Sequence, residues 1–303
     1  MTRMLLSVCL ATGSLAAAAA SLWAHPDTPR RLEEVARELE QRPGAPDLLY
    51  RRGCLRLDEE YADYPQAVRD LTAALKDPSI ADVRLFRAIA YRHLGETAKA
   101  LADLDAYVRA VPEDARAYEQ RFEARLAAGR KREAAADLEK ALHIQPRADL
   151  YARLATLHEE AGAPAKAIQT YEDGIARLGR PLELMVALVD TAVRARATAK
   201  ALEWVGVLEA EGGRRERWRL TRAEILEGAG RTAEARAAYQ EVLTLHEARA
   251  AAGGFLSQPM RLEQAQALAG LGRKDEAKAL VASLPETFKG RAEYQRLAER
   301  LAR

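Results

Sequence analysis

The side chains most able to do chemistry are few and widely spaced along this 303-residue chain. The five histidines are His25, His93, His143, His158 and His246. No two of them have the spacing of a metal-binding pair, and none stands near Cys54 in the sequence. The chain contains no nucleophile elbow, zincin, P-loop or dinucleotide-binding motif. The sequence therefore predicts a protein that is not an enzyme and that uses no cofactor or metal.

Residues 1–24 have the pattern of a secretory signal peptide. Arg3 precedes an uncharged, Ala-rich run that ends at Ala24. A basic start, an apolar run and a small residue at the cleavage point are typical of exported proteins. We therefore predict cleavage after Ala24 and a periplasmic or secreted chain with no membrane insertion. The alternative is an uncleaved N-terminal anchor, because the run is long enough to cross a bilayer.

Cleavage would change the standing of one histidine and one cysteine. His25 would become the first residue, and an N-terminal His can bind copper through its amine and ring. A metal-handling or enzyme-accessory protein is therefore the alternative function. Cys54 would be the single remaining Cys, so no internal disulfide could form, and we expect it to be a small buried helix residue. His143 and His246 fall at predicted helix ends, where the helix dipole favours a structural role.

The composition is that of a helical protein without a strong overall charge. Charged residues make up 30% of the chain and aromatic residues 6%, and the net charge is +2. Such a balance gives no general attraction to nucleic acid, which we exclude as a partner. The chain has no Asn, so it has no site for an Asn-linked glycan.

A small residue recurs at nearly constant spacing through most of the chain. The series is Ala67, Ala100, Ala134, Ala167, Ala201, Ala235 and Ala277, with intervals of 33, 34, 33, 34, 34 and 42 residues. A Gly stands five residues before most of these positions, as in "GRKREA" at 129–134. Gly ends a helix in a left-handed conformation, and a buried Ala lets two helices cross closely. The period therefore predicts hairpins of two helices, written repeatedly.

These positions resemble the tetratricopeptide repeat, a unit of 34 residues that folds as two antiparallel helices. Seven units begin near residues 46, 81, 115, 148, 182, 216 and 258. The resemblance implies an all-α fold, a right-handed superhelical solenoid of stacked helix pairs. It divides the chain into a signal peptide (1–24), an N-terminal capping helix (25–45), the solenoid (46–284) and a C-terminal capping helix (285–303).

Three places depart from the repeat pattern. The first unit carries two extra residues around 58–63, and an insertion precedes the seventh unit near 246–257. The fifth unit has Arg196 where the turn Gly is expected. In the capping segments, we expect one helix over 28–44 with Thr28 as its cap, and one over 285–303 with Phe288, Tyr294, Leu297 and Leu301 on one face.

The resemblance also implies which residues bind a partner, because the first helices of the units line the concave side of a solenoid of this type. We call this surface the first-helix face. Its predicted contact residues are Asp82, Leu85, Ile89, Arg92, His93, Glu119, Glu123, Leu126, Asp149, Thr156, Glu159, Glu160, Asp190, Leu220, Glu224 and Glu227. Acidic residues dominate this set, so the face should suit a protein or peptide segment that carries Lys or Arg. The family's clamp for chaperone tails uses paired Asn and Lys, and a chain without Asn cannot form it.

The function predicted from these observations is a non-catalytic scaffold, exported to the cell envelope, that binds an extended or helical partner segment. The other carboxylates, on amphipathic helices, are expected to form solvated surfaces. A third possibility is that the solenoid packs its groove onto its own N- or C-terminal helix and serves as a structural module.

Overall fold

The structure, a computed structural model, describes residues 27–211 and 215–302. The predicted signal peptide and His25 lie outside these residues. Every regular element in the described part of the chain is helical, which confirms the all-α prediction. No helix in those two ranges is long and apolar enough to span a membrane.

The helices up to the fourth repeat are α1 (Thr28–Gln41), α2 (Pro46–Leu55), α3 (Tyr64–Ala74), α4 (Val83–His93), α5 (Thr97–Ala110), α6 (Ala115–Ala127), α7 (Lys131–Ile144), α8 (Ala148–Glu160) and α9 (Pro164–Leu178). The remaining helices are α10 (Leu182–Arg194), α11 (Thr198–Glu211), α12 (Arg215–Gly228), α13 (Thr232–Ala251), α14 (Gln258–Gly270), α15 (Lys274–Ala282), α16 (Glu286–Lys289) and α17 (Ala292–Ala302). The extra residues of the first repeat form a short 3-10 turn, Glu59–Tyr61.

The chain forms two compact units, Met1–Leu150 and Tyr151–Arg303. Within each unit the helices pack against their neighbours in the sequence, as hairpins do in a tetratricopeptide solenoid. First helices of successive repeats also touch one another: α2 contacts α4 and α4 contacts α6 in the first unit, and α12 contacts α14 in the second. The paired-helix prediction is therefore confirmed.

The turn glycines lie where the repeat pattern predicts them. Gly129, between α6 and α7, has φ +73°, a left-handed conformation that L side chains adopt with difficulty. The corresponding position of the fifth repeat, Arg196, keeps the same turn with φ 56° although it carries a side chain. The packing of the repeat therefore holds Arg196 in a left-handed backbone conformation that residues with a side chain rarely adopt.

The seven repeated alanines are buried where the two helices of a hairpin meet. All of them are fully buried except Ala235, which is nearly so. Leu and Tyr side chains such as Leu104, Leu138 and Tyr107 fill the space beside them. Small residues at the crossings and larger ones around them give close interior packing, as the sequence analysis predicted.

Three carboxylates contradict the expectation that those outside the predicted site would be solvated. Asp70, Asp103 and Asp137 are buried on the second helices α3, α5 and α7. Arg87 donates to both oxygens of Asp103 at 2.7 Å. Arg121 donates to Asp137 at 2.7 Å in the same way, one repeat later. A charge is tolerated there because each carboxylate is paired inside its own hairpin.

Arg125 and Arg52 add to these pairs, and we call the series of Arg–Asp pairs in successive hairpins the Arg–Asp ladder. Arg125 also donates to Asp137, at 2.7 Å. In the first repeat Asp70 accepts from Arg52 at 2.8 Å and 2.7 Å. Bidentate pairing of this kind fixes the angle between the two side chains, so the ladder stabilises a particular arrangement of each hairpin.

The two end segments differ in detail from prediction. Thr28 does not cap α1: it is the first helical residue, and its hydroxyl donates to Asp58 at 2.9 Å. The C-terminal segment forms two helices, α16 and α17, where one was expected. Phe288, Leu297 and Leu301 are buried in the core of the second unit, as their shared face predicted.

The insertion near 246–257 also changes the position of His246. Helix α13 continues to Ala251, so this residue lies inside the helix and not at its end. Its side chain is completely buried, and neither ring nitrogen has a hydrogen-bond partner among the described residues. Glu263 lies 3.9 Å away, and burial lowers the pKa of His246, with Glu216 opposing and Arg249 adding to that shift. The helix-end interpretation of His246 was therefore wrong.

His246 gives a prediction about acid stability. Its pKa is lowered below the ordinary 6.5, so the unfolded chain binds a proton that the folded chain does not. The free energy of unfolding should therefore fall as the pH drops below that value, by up to about 1.4 kcal/mol per pH unit until the folded pKa is reached. Urea unfolding between about pH 7.5 and 5, a range that brackets the ordinary pKa of histidine, measures this change. The free energy of unfolding should fall less for His246→Leu than for the wild type.

The exposed His143 supplies the control, because His143→Leu removes an imidazole without opening the core. At neutral pH its free energy of unfolding should differ from that of the wild type by less than about 0.5 kcal/mol. Parallel curves for His246→Leu and the wild type would contradict the assignment of a neutral, buried imidazole.

Candidate protein-binding face

The candidate site is the first-helix face: α4 and α6 in the first unit, and α10, α12, α14 and the part of α8 from Tyr151 onward in the second. These helices position most of the predicted contact residues; Asp82 directly precedes α4, and Asp149 lies at the start of α8 in the first unit. The structure divides those residues into three groups. Some are buried in the core, some are paired with the chain's own cations, and some remain exposed.

In the first unit, three of the predicted contact residues are buried. Leu85 and Ile89 belong to the hydrophobic core. Asp82 is 6% exposed, and its carboxylate lies 2.7 Å from the hydroxyl of Tyr107. Burial raises the pKa of Tyr107, and the nearby Asp82 and Asp114 add to that shift. These three contact residues therefore stabilise the unit from within and offer a partner almost no surface.

His93 is held by an aromatic contact. Its ring stacks on Tyr64, the first residue of α3, with centroids 4.4 Å apart and planes 5° from parallel. Partial burial lowers the pKa of His93, the charge of Arg92 acts in the same direction, and Glu59 opposes them. The stack gives His93 a packing role at the end of α4, beside the half-buried Arg92.

An arginine of the chain itself neutralises part of the acidic surface of the first unit. Arg147 donates to Glu119 at 2.9 Å and to Asp149 at 2.5 Å. Glu123 and Leu126 lie on the same helix as Glu119 and are half-buried. The acidic character of this surface is therefore weaker than the residue count suggests.

The fourth and fifth repeats show the same mixture in the second unit. Arg194 donates to both oxygens of Glu159, at 2.8 Å and 2.9 Å, and the Thr191 hydroxyl donates to the same carboxylate. The Thr156 hydroxyl donates to the carbonyl of Ala152 at 2.9 Å within α8. The pairing leaves this part of the face with both signs of charge.

Two predicted acidic residues of the second unit remain at the surface, together with apolar side chains. Glu160 on α8 and Asp190 on α10 are exposed. Leu182 is 56% exposed and Val193 is 46% exposed, both on α10. Leu182 was missed by the sequence analysis because the repeat pattern places no contact at the first residue of a unit. An exposed apolar surface with acidic neighbours suits an amphipathic, basic segment.

The sixth repeat is different because α17, which packs on α14, extends side chains to its first helix, α12. Leu220 of α12 is 5% exposed and shares one core cluster with Leu297 and Leu301 of α17. Arg300 donates to both oxygens of Glu227, at 2.9 Å and 2.6 Å. The predicted contact residue Glu227 is therefore paired with the chain's own C-terminal helix, and Leu220 lies in the core that this helix shares.

Further charges pair α12 with α17. Arg217 donates to Glu293 at 3.1 Å. The surrounding chain shields the Glu224 carboxylate from water, and this desolvation raises its pKa. The positive charges of Arg296, Arg217 and Arg300 oppose that shift. Sequence reasoning left this contact as one of three possibilities. A detectable signal was the alternation of Arg296 and Arg300 with two leucines in an otherwise ordinary end helix.

The described residues offer little else that could do chemistry. In 27–211 and 215–302, no three His, Cys, Asp or Glu side chains are grouped so that they could hold a metal ion. Cys54 is buried, as predicted, and burial raises the pKa of its thiol, so the reactive thiolate is disfavoured.

Comparison with known proteins gives matches to repeat families. Tetratricopeptide-repeat profiles match residues 226–301 and 60–115. A profile of the bacterial transcriptional activator domain matches residues 107–189. None of the curated proteins matches the chain.

Solved structures with the same kind of fold show low sequence identity. The C-terminal part of a TPR repeat-containing protein from Cytophaga hutchinsonii has a TM-score of 0.53 and 17% identity over 77% of this chain and 94% of that one. The Naa15/Naa10 complex bound to HypK-THB also has a TM-score of 0.53 and 17% identity, over 84% of this chain and 38% of that one. A tetratricopeptide repeat protein from Parabacteroides merdae has a TM-score of 0.46 and 13% identity, over 85% and 99%.

Likeness at these identities shows the fold alone. The repeat profiles add the sequence pattern, and the buried alanines with their left-handed turns add its physical basis. The chain therefore carries tetratricopeptide repeats, and the profiles place them at residues 60–115 and 226–301.

Proposed function

We propose that this protein is an exported, non-catalytic scaffold that binds a basic segment of a partner protein on its first-helix face. Tetratricopeptide repeats suggest a protein–protein interaction scaffold, and proteins of this fold are generally not catalysts. The finer statements, on export and on the charge of the partner segment, rest on the sequence and on the residues of the face.

The observation that carries the proposal is the pairing of α17 with the first helix α12. A helix with Arg296 and Arg300 beside two leucines packs on α14, and its Arg300 reaches α12 to pair with Glu227. The same face therefore accepts a basic, amphipathic segment when the chain itself supplies one. Asp190 is exposed on the first helix α10 and offers its carboxylate to a segment from another protein.

Export is supported by the pattern of residues 1–24. Expression of the full chain in a Gram-negative host with a tagged C-terminus tests it. The tagged protein should be recovered from the periplasmic or secreted fraction, and N-terminal sequencing should begin at His25. Recovery in the cytoplasm with Met1 intact would contradict export, and recovery in membranes with Met1 intact would indicate an uncleaved anchor.

Partner binding is tested by charge reversal on the face. The mature chain should capture a specific protein from the envelope fraction of its source cells. The triple variant Glu123→Lys, Glu160→Lys and Asp190→Lys should bind that purified protein at least about tenfold more weakly, because each substitution replaces attraction with repulsion. Surface plasmon resonance with the purified partner measures the change.

A matched control keeps the same change of net charge on second helices. Asp173→Lys, Glu203→Lys and Glu247→Lys alter exposed residues of α9, α11 and α13. This control should bind like the wild type, and circular dichroism should show that both variants remain helical. Equal binding by the wild type and the first-helix variant would overturn the proposal.

A further inference from the structure

An exposed apolar stripe on α10 lies next to acidic residues. Leu182, Val186 and Val193 are four and seven residues apart, which places them on one side of the helix. Leu182 and Val193 are 56% and 46% exposed, and Val186 is half-buried. Glu183 and Asp190 stand beside the stripe and are exposed. We call the three apolar residues the α10 stripe.

The corresponding positions of the next repeat, on α12, meet the C-terminal helix α17. Glu183, Val186, Asp190 and Val193 correspond, 34 residues later, to Arg217, Leu220, Glu224 and Glu227. Leu220 packs in one cluster with Leu297 and Leu301 of α17. Because Arg217 pairs with Glu293 and Glu227 pairs with Arg300, α17 runs in the same direction as α12.

The residues that differ between the two repeats define what the α10 stripe would accept. Glu183 takes the place of Arg217, so a basic residue should replace Glu293 in the bound helix. Val193 takes the place of Glu227, so an apolar residue should replace Arg300. Asp190 keeps the acidic character of Glu224, so the residue corresponding to Arg296 should stay basic.

We propose that the α10 stripe docks an amphipathic helix of a partner protein. That helix would have two apolar residues four apart, in the manner of Leu297 and Leu301, and basic residues facing Glu183 and Asp190. The inference rests on the proposed function and names its partner segment. The apolar side chains bury the stripe, and the two carboxylates fix the direction and register of the helix.

Two synthetic peptides test this chemistry on the intact mature chain. One is residues 291–303 of the protein itself, and the other carries Glu293→Lys and Arg300→Leu. Fluorescence anisotropy should show that the altered peptide binds at least about tenfold more tightly than the native one. Equal binding, or tighter binding of the native peptide, would overturn the proposed chemistry and would indicate self-association through α17.

Variants of the chain locate the binding site. Leu182→Ser with Val193→Ser should weaken the altered peptide at least about tenfold. Leu94→Ser, which removes another exposed leucine at the end of α4, is the control and should change nothing. Binding of the altered peptide that the α10 variant leaves unchanged would overturn the assignment to this stripe.

The register is tested by a charge exchange. Glu183→Lys should weaken a peptide that carries Glu293→Lys and strengthen the native peptide, because only the paired charges change sign. Absence of such a crossover would overturn the proposed register. If the altered peptide fails to bind while charge reversal still abolishes capture of the envelope partner, only this inference falls; if both fail, the proposed function falls too.

Discussion

The fold depends on the close approach of two helices at one methyl-sized residue in each repeat. Larger side chains at Ala134 or its counterparts would hold the helices of a hairpin apart, because interior packing leaves few voids to absorb added volume. The burial of all seven alanines shows that this constraint applies in every repeat. A single helix pair buries too little surface to be stable, so contacts between successive hairpins within a unit are needed as well.

This constraint also determines which side chains reach the surface. With the crossings fixed, the first helices turn some positions inward, so that Leu85 and Ile89 fill the core while Glu160 and Asp190 reach the surface. Some carboxylates pair with a cation of the same unit, as Glu119 does with Arg147. The exposed surface that remains on α10 combines apolar and acidic side chains. Helix α17 carries the complementary apolar and basic side chains where it meets the first helix of the next repeat.

Much of the fold could be predicted from the sequence because its signals are local. Gly at the turns, Pro near helix ends and Ala at the crossings predict first helices starting near 182 and 258, and the structure begins α10 and α14 at those residues. The site could be predicted only in part. The burial of Asp137 depends on Arg121 sixteen residues away, and the cover over Glu227 comes from Arg300, seventy-three residues away. The first contact recurs at the repeat spacing as Arg87 with Asp103, but the glycines, prolines and alanines that define the period mark neither contact. Each depends on which side chains meet after the hairpins have packed.

The claim that small residues at the crossings determine the fold is tested most directly by enlarging one of them. The free energy of unfolding of Ala134→Leu should be about 1–3 kcal/mol lower than that of the wild type, because the added carbons must be forced into a filled interior. Ala136→Leu, two residues along the same helix and exposed, should change it by less than about 0.5 kcal/mol. Equal stability of the two variants in urea unfolding would contradict the account.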